Sequence, residues 1–110
     1  MSYILVLMTA SNKEEAKKIV HILLKEKLVI CANIIDAVSS LYWWKGKIAE
    51  DKESLVIMKS HKNLFRNLSS RIIGLHSYDV PEILAIPIVG GSSSYLEWMK
   101  TFFEPVNKDE

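Results

Sequence analysis

The order of apolar and amphipathic segments predicts an α+β domain, a ferredoxin-like sandwich of β-α-β-β-α-β order with an extra C-terminal helix. Three observations predict it. The chain opens on the continuous apolar run YILVLMT, the mark of a central strand covered on both faces or nearly so. Two amphipathic stretches separate the extended segments in the order that the split βαβ pattern requires. Lys45-Gly46 supplies a turn between two unusually long extended segments, which therefore read as one hairpin.

Each element has its own justification. Tyr3 to Thr9 is the first strand. Ser11 and Glu14 make an S-x-x-E capping box, and behind it Ala16, Ile19, Val20, Leu23 and Leu24 share one helical face to about Lys27. Val29 to Trp44 and Lys47 to Ser60 are the arms of the hairpin. Leu64, Leu68 and Ile72, with Phe65, mark the second helix, and Gly74 stands where its C-terminal cap would fall. Ile83 to Val89 is the fourth strand. Ser94 and Glu97 open a last helix carrying Tyr95, Leu96, Trp98, Met99, Phe102 and Phe103, and Pro105 follows it. Residues 1–105 form a single domain in this reading, and 106–110 are a frayed tail. The first and third strands are central and the second and fourth are edges. Pro87, inside the fourth strand, agrees, because proline is tolerated mainly at sheet edges.

The hairpin carries a further implication. A long apolar edge strand is an aggregation liability unless something covers it. Tyr42, Trp43 and Trp44 are adjacent, and strand alternation sends neighbours to opposite faces, so one sheet cannot bury all three. A homo-oligomer in which the hairpin packs on a neighbouring subunit resolves both difficulties.

The composition narrows the function classes. A chain of 110 residues with 49% hydrophobic and 25% charged residues is one globular domain with a real core. A net charge of +1 gives no bulk attraction to nucleic acid or anionic lipid. The apolar runs are too short and interrupted to cross a bilayer. MSYILVLMTAS lacks the basic leader and small-residue cleavage site of a signal peptide. The single cysteine, Cys31, excludes an intrachain disulfide and suits a reducing compartment, so a cytoplasmic protein is expected. G-x-S-x-G, Walker and G-x-G-x-x-G patterns are absent, and KIAEDKESLVIMK lacks the aromatics of an RNA-binding third strand. MTASNKEEA lacks the arginine and glycines of an acylphosphatase-like phosphate cradle.

Candidate chemistry concentrates in LHSYDVPEILAIP, Leu75 to Pro87. His76 could bind a metal through a neutral ring nitrogen, or cap a helix C-terminus by bonding free carbonyls. Tyr78 reads as packing or ligand contact, Asp79 as a turn residue, and Glu82 as an exposed carboxylate where the strand begins. Cys31 and Met8 carry the soft donors that suit copper(I), and both also read as small or flexible core fillers. Lys59 leaves a central strand near a helix start, where it could meet an anion or Glu82. Glu50, Asp51 and Glu53 could hold a hard cation, but the interleaved Lys47 and Lys52 favour a solvated or cross-strand-paired face.

CANI (Cys31 to Ile34), SLYWWKGKI (Ser40 to Ile48), IMK (Ile57 to Lys59), HSYDVPEI (His76 to Ile83) and YLEW (Tyr95 to Trp98) occur in this order. Together they resemble the CutA family of divalent-cation tolerance proteins over nearly the whole chain. The resemblance implies a ferredoxin-like subunit in a tight homotrimer, with the long hairpins packed between subunits. It implies a cytoplasmic, non-enzymatic protein linked to tolerance of copper and other divalent ions, with no obligatory cofactor. It also implies kinship to the trimeric PII signalling proteins, which bind small ligands in clefts between subunits. In some bacterial members, a cysteine near the end of the first strand and two consecutive histidines are implicated in metal binding. The matching positions here are Met8, Leu75 and His76, of which Leu75 cannot ligate. The metal candidates are therefore His76, Met8 and Cys31. Lys59, Tyr78, Glu82 and Trp44 would line a shared cleft for a small anionic ligand.

Overall fold

The structure, a computed structural model, describes residues 2–108, with side chains described through Phe103. Four strands form one antiparallel sheet in the order β2-β3-β1-β4. They are β1 (Tyr3–Ala10), β2 (Cys31–Trp44), β3 (Lys47–His61) and β4 (Ile83–Pro87). Helices α1 (Lys13–Lys25) and α2 (Phe65–Leu75) pack on one face of it, and α3 (Ser93–Lys108) completes the chain. The predicted topology holds, including central β1 and β3, edge β2 and β4, and Pro87 on the outer edge.

Strand alternation sorts the sheet into two unlike faces. Ile4, Val6, Met8 and Ala10 of β1 and Val56 and Met58 of β3 are buried against Ala16, Ile19, Val20 and Leu23 of α1 and Leu68 and Ile72 of α2. Leu5 and Leu7 of β1, Leu55 and Ile57 of β3, and Leu84 and Ile86 of β4 share the opposite face and stay partly or fully exposed. Among the described residues only one end of that face is covered, where Met99 and Phe103 of α3 pack with Ile30, Tyr3 and Cys31.

The hairpin projects as an arm. The extents are 48 × 27 × 23 Å and the radius of gyration is 15.0 Å, against about 13 Å for a compact domain of this length. Its turn uses left-handed backbone at both Lys45 (φ 50°) and Gly46 (φ 77°), as the tight two-residue hairpin turn demands. A register shift between Ile35 and Val38, with Ala37 at φ 57°, bulges β2 midway. Asp36 fastens the bulge, its Oδ1 accepting from Ala37 N–H and from the buried Ser54 hydroxyl, each at 2.9 Å. Beyond it, Leu41, Trp43 and Ile48 are exposed on one face of the arm and Tyr42 and Trp44 on the other.

Several local expectations shift. The first capping box lies one residue later than predicted. Asn12, not Ser11, is the cap, accepting from Glu15 N–H at 2.8 Å. The α1 helix stops at Lys25 because Lys27 takes a left-handed conformation (φ 59°) and Leu28 N–H turns back to the Leu23 carbonyl at 3.0 Å. Gly74 lies inside α2, and His76 is the C-terminal cap. The α3 helix begins at Ser93, one residue before the predicted serine, with Ser92 Oγ accepting loosely from Tyr95 N–H at 3.4 Å. It runs past Pro105, where its end was expected, and of the tail residues 109 and 110 lie outside the described ones. The β4 strand ends at Pro87 rather than Val89, although Ile88 N–H still bonds the Tyr3 carbonyl at 3.0 Å.

Candidate functional site

The polar turn after α2 folds back on the start of α1, and Glu15 is the hub. Its carboxylate accepts from Ser11 N–H at 3.0 Å, from the Ser11 hydroxyl at 2.8 Å and from Ser77 N–H at 2.8 Å. Burial pushes this carboxyl up, but the hydrogen bonds from Ser77 and Ser11 outweigh it and hold it down at about 2, against an ordinary 4.5. The sequence reading missed Glu15 because its box was placed on Glu14. Shifting the same S/N-x-x-E pattern by one residue would have found it.

His76 is held at both ring nitrogens and its side chain is fully buried. Nδ1 accepts from Tyr78 N–H at 3.1 Å, which leaves the ring proton on Nε2, where it donates to the Thr9 carbonyl at 2.8 Å. The Tyr78 ring lies 4.6 Å from the imidazole, and its hydroxyl donates to Glu53 Oε2 at 2.7 Å. Burial first, then the Glu53 bond and the charges of Glu53, Glu15 and Asp51, push the Tyr78 phenol above its ordinary 10.0. Of the acidic cluster, Glu53 is thus tied to Tyr78. Asp51 accepts from the Tyr42 hydroxyl across the hairpin, and Lys52 donates to Ser39 Oγ at 2.9 Å.

The other predicted residues lie elsewhere. Met8 is sealed in the core between sheet and helices. Cys31 is partly exposed on the open face, directly across from Lys59, which in turn pairs with Leu5. The His76 bond at Thr9 is four residues further along β1, about 13 Å from the row of Leu5. Trp44 pairs with Lys47 at the hairpin tip, twelve residues or about 40 Å along β3 from Lys59. Glu82 is exposed at the start of β4. One chain therefore brings His76 and Tyr78 together. It does not join them to Lys59 or Trp44, and it does not join His76, Met8 and Cys31. Among the described residues no group of three or more His, Cys, Asp or Glu side chains is placed to hold a metal ion.

A second cluster does form around Lys59. Its ammonium lies 5.8 Å from the centre of the Tyr95 ring and 3.4 Å from Asn33 Oδ1, while Cys31 Sγ is 3.8 Å from the Tyr95 hydroxyl. The sequence reading named Lys59 and Cys31 but not Tyr95 or Asn33, which only the docking of α3 and the β2-β3 register bring beside them.

A four-stranded antiparallel sheet with two helices on one face and a protruding hairpin defines a small α+β, ferredoxin-like domain. The family profile described as CutA1 divalent ion tolerance protein matches residues 4–102. This chain belongs to that family. It is 43% identical to the chloroplastic protein CutA 1 of Oryza sativa subsp. japonica over 88% of its own length and 55% of that protein's. It spans about half the length of that plant relative. It is 40% identical to the divalent-cation tolerance protein CutA of Thermus thermophilus, over 86% of this chain and 92% of that one. The crystal structure of CutA1 from Oryza sativa superposes with a TM-score of 0.88 at 41% identity, covering 93% of this chain and 94% of that one. No helix among the described residues is long and apolar enough to cross a membrane.

Proposed function

We propose that this protein serves divalent-cation tolerance as a homotrimer, binding copper or another divalent ion as cargo and performing no chemical step of its own. The observation that carries the assembly is the open sheet face. Leu84 (55% exposed) and Ile86 (42%) continue a stripe with Leu5, Leu7, Leu55 and Ile57, and the hairpin adds Trp43 at 73% and Ile48 at 67%. Apolar surface on this scale is what a subunit interface covers. The family's printed description supports the metal reading. The isolated chain supplies donors but no formed site. His76 would have to give up Tyr78 or Thr9 to ligate, and Met8 lies in the core. Donors from neighbouring subunits, with Cys31 as the accessible soft ligand, would have to complete the set.

A titration of the stripped, assembled protein with copper(I), copper(II) and zinc against a competing chelator tests this reading, with His76→Ala and Cys31→Ser alongside. Stoichiometric binding weakened in either variant supports it. Binding that neither variant changes would sink the ligand assignment.

The second reading is a PII-like scaffold that holds a small anion in a cleft between subunits, without chemistry on it. The observation in its favour is Lys59, whose ammonium has only neutral contacts among the described residues.

A further inference from the structure

The corner where α3 meets the open sheet face is organised around a cation, Lys59, that has no counter-ion among the described residues. Lys59 stands between Leu5 and Cys31 in the sheet, two residues from Ile57 on the same face. Its contacts are the Tyr95 ring at 5.8 Å and one long approach to Asn33 Oδ1 at 3.4 Å. Among the described residues the lysine- or arginine-to-carboxylate ion pair is Arg71–Glu26, so no carboxylate neutralises Lys59. A π face and one amide oxygen satisfy this ammonium only in part. At least one of its three N–H donors is left to give. The wall beside it is aromatic. Tyr95 and Trp98 lie 5.3 Å apart in a tilted pair, both exposed.

We propose that this corner is a subsite for a small aromatic carboxylate, its carboxylate on Lys59 and its ring against Tyr95 and Trp98. The inference rests on the small-ligand reading above and names its ligand class. A single ammonium, with no arginine beside it, suits one negative charge better than a phosphate. The exposed apolar rings call for a ligand with a flat apolar body rather than a bare anion.

Calorimetric titration of the full-length assembled protein with 2-naphthoate and its uncharged amide, 2-naphthamide, tests the subsite. Wild type, Lys59→Met, Lys59→Arg, Trp98→Leu and Glu82→Gln are compared, with assembly size checked by sedimentation. The carboxylate is expected to bind about tenfold more tightly than the amide. Lys59→Met should erase that preference without changing assembly, Lys59→Arg should keep it, and Trp98→Leu should weaken both probes. Equal binding of the two probes to wild type, or a preference that survives in Lys59→Met, overturns the subsite and leaves the small-ligand reading standing. Naphthoate binding that appears only in Glu82→Gln also overturns it, assigning the ammonium to Glu82 of a second copy. No binding of either probe overturns it as well. Failure of a wider set of carboxylate- and phosphate-bearing small molecules would then take the reading beneath it down too.

Discussion

The Nε2–H of His76 donates to the Thr9 carbonyl at 2.8 Å, joining the end of α2 to the end of β1 across 67 positions of sequence. Its other nitrogen accepts from Tyr78 N–H, so the ring closes the turn in one tautomer with both nitrogens in use. The residue with the most obvious metal chemistry is therefore also a structural clasp.

Loss of that clasp should be expensive. His76→Ala leaves the Thr9 carbonyl and the Tyr78 amide without their partner and opens a cavity where a fully buried ring stood. The expected loss is about 3 kcal/mol, read as a shift of the guanidinium midpoint at fixed protein concentration. A loss below about 0.5 kcal/mol would show that the ring is not holding the turn.

Glu15 makes stability depend on pH in a defined window. Its carboxyl is held at about 2 when folded, against an ordinary 4.5, so the folded state prefers it ionised. That contribution is complete above pH 4.5 and is lost as pH falls towards 2. Glu15→Gln should cost about 1–2 kcal/mol at neutral pH, and its melting curve should converge on that of wild type as pH drops through the window. A gap that stays constant with pH would mean that the charge contributes nothing.

The hairpin turn separates backbone conformation from packing. Gly46 is at φ 77° with nothing within 4 Å of a built Cβ, so Gly46→Ala meets no neighbour and costs only the left-handed conformation, about 1 kcal/mol. Lys45 is at φ 50° without being glycine or asparagine. Lys45→Asn should stabilise the turn. Thermal unfolding of the two variants should move in opposite directions, and movement in the same direction would reject this account.

The assembly has its own test. Leu84→Glu with Ile86→Glu puts two charges on the open face of an edge strand, far from the helix-side core. The double variant should stay folded by circular dichroism and sediment as a monomer at concentrations where wild type is assembled. An unchanged sedimentation coefficient would place the interface elsewhere.

Much of the fold was legible because apolar periodicity reports burial directly. The continuous run at Tyr3, the long arms on either side of Lys45-Gly46 and the helical spacing of Leu64, Leu68 and Ile72 each name their element, and Pro87 marks the edge it occupies. Caps were less legible. Ser11-x-x-Glu14 and Asn12-x-x-Glu15 differ by one residue and satisfy the same pattern, and only hydrogen-bond geometry chose between them. Gly74 read as a cap because glycine often is one, yet α2 continued through it to His76.

By itself the sequence determined the order of the elements, the long arm with its Lys45-Gly46 turn, and a family membership carried by five short motifs. These are local or additive properties, readable from neighbours along the chain. Only the tertiary structure decided that His76 is bonded at both nitrogens, that Met8 faces the core while Cys31 faces the open side, and that Lys59 meets Tyr95 rather than Glu82. Those outcomes depend on strand register and helix docking, which bring together groups tens of residues apart, and a shift of one residue would send every strand side chain to the opposite face.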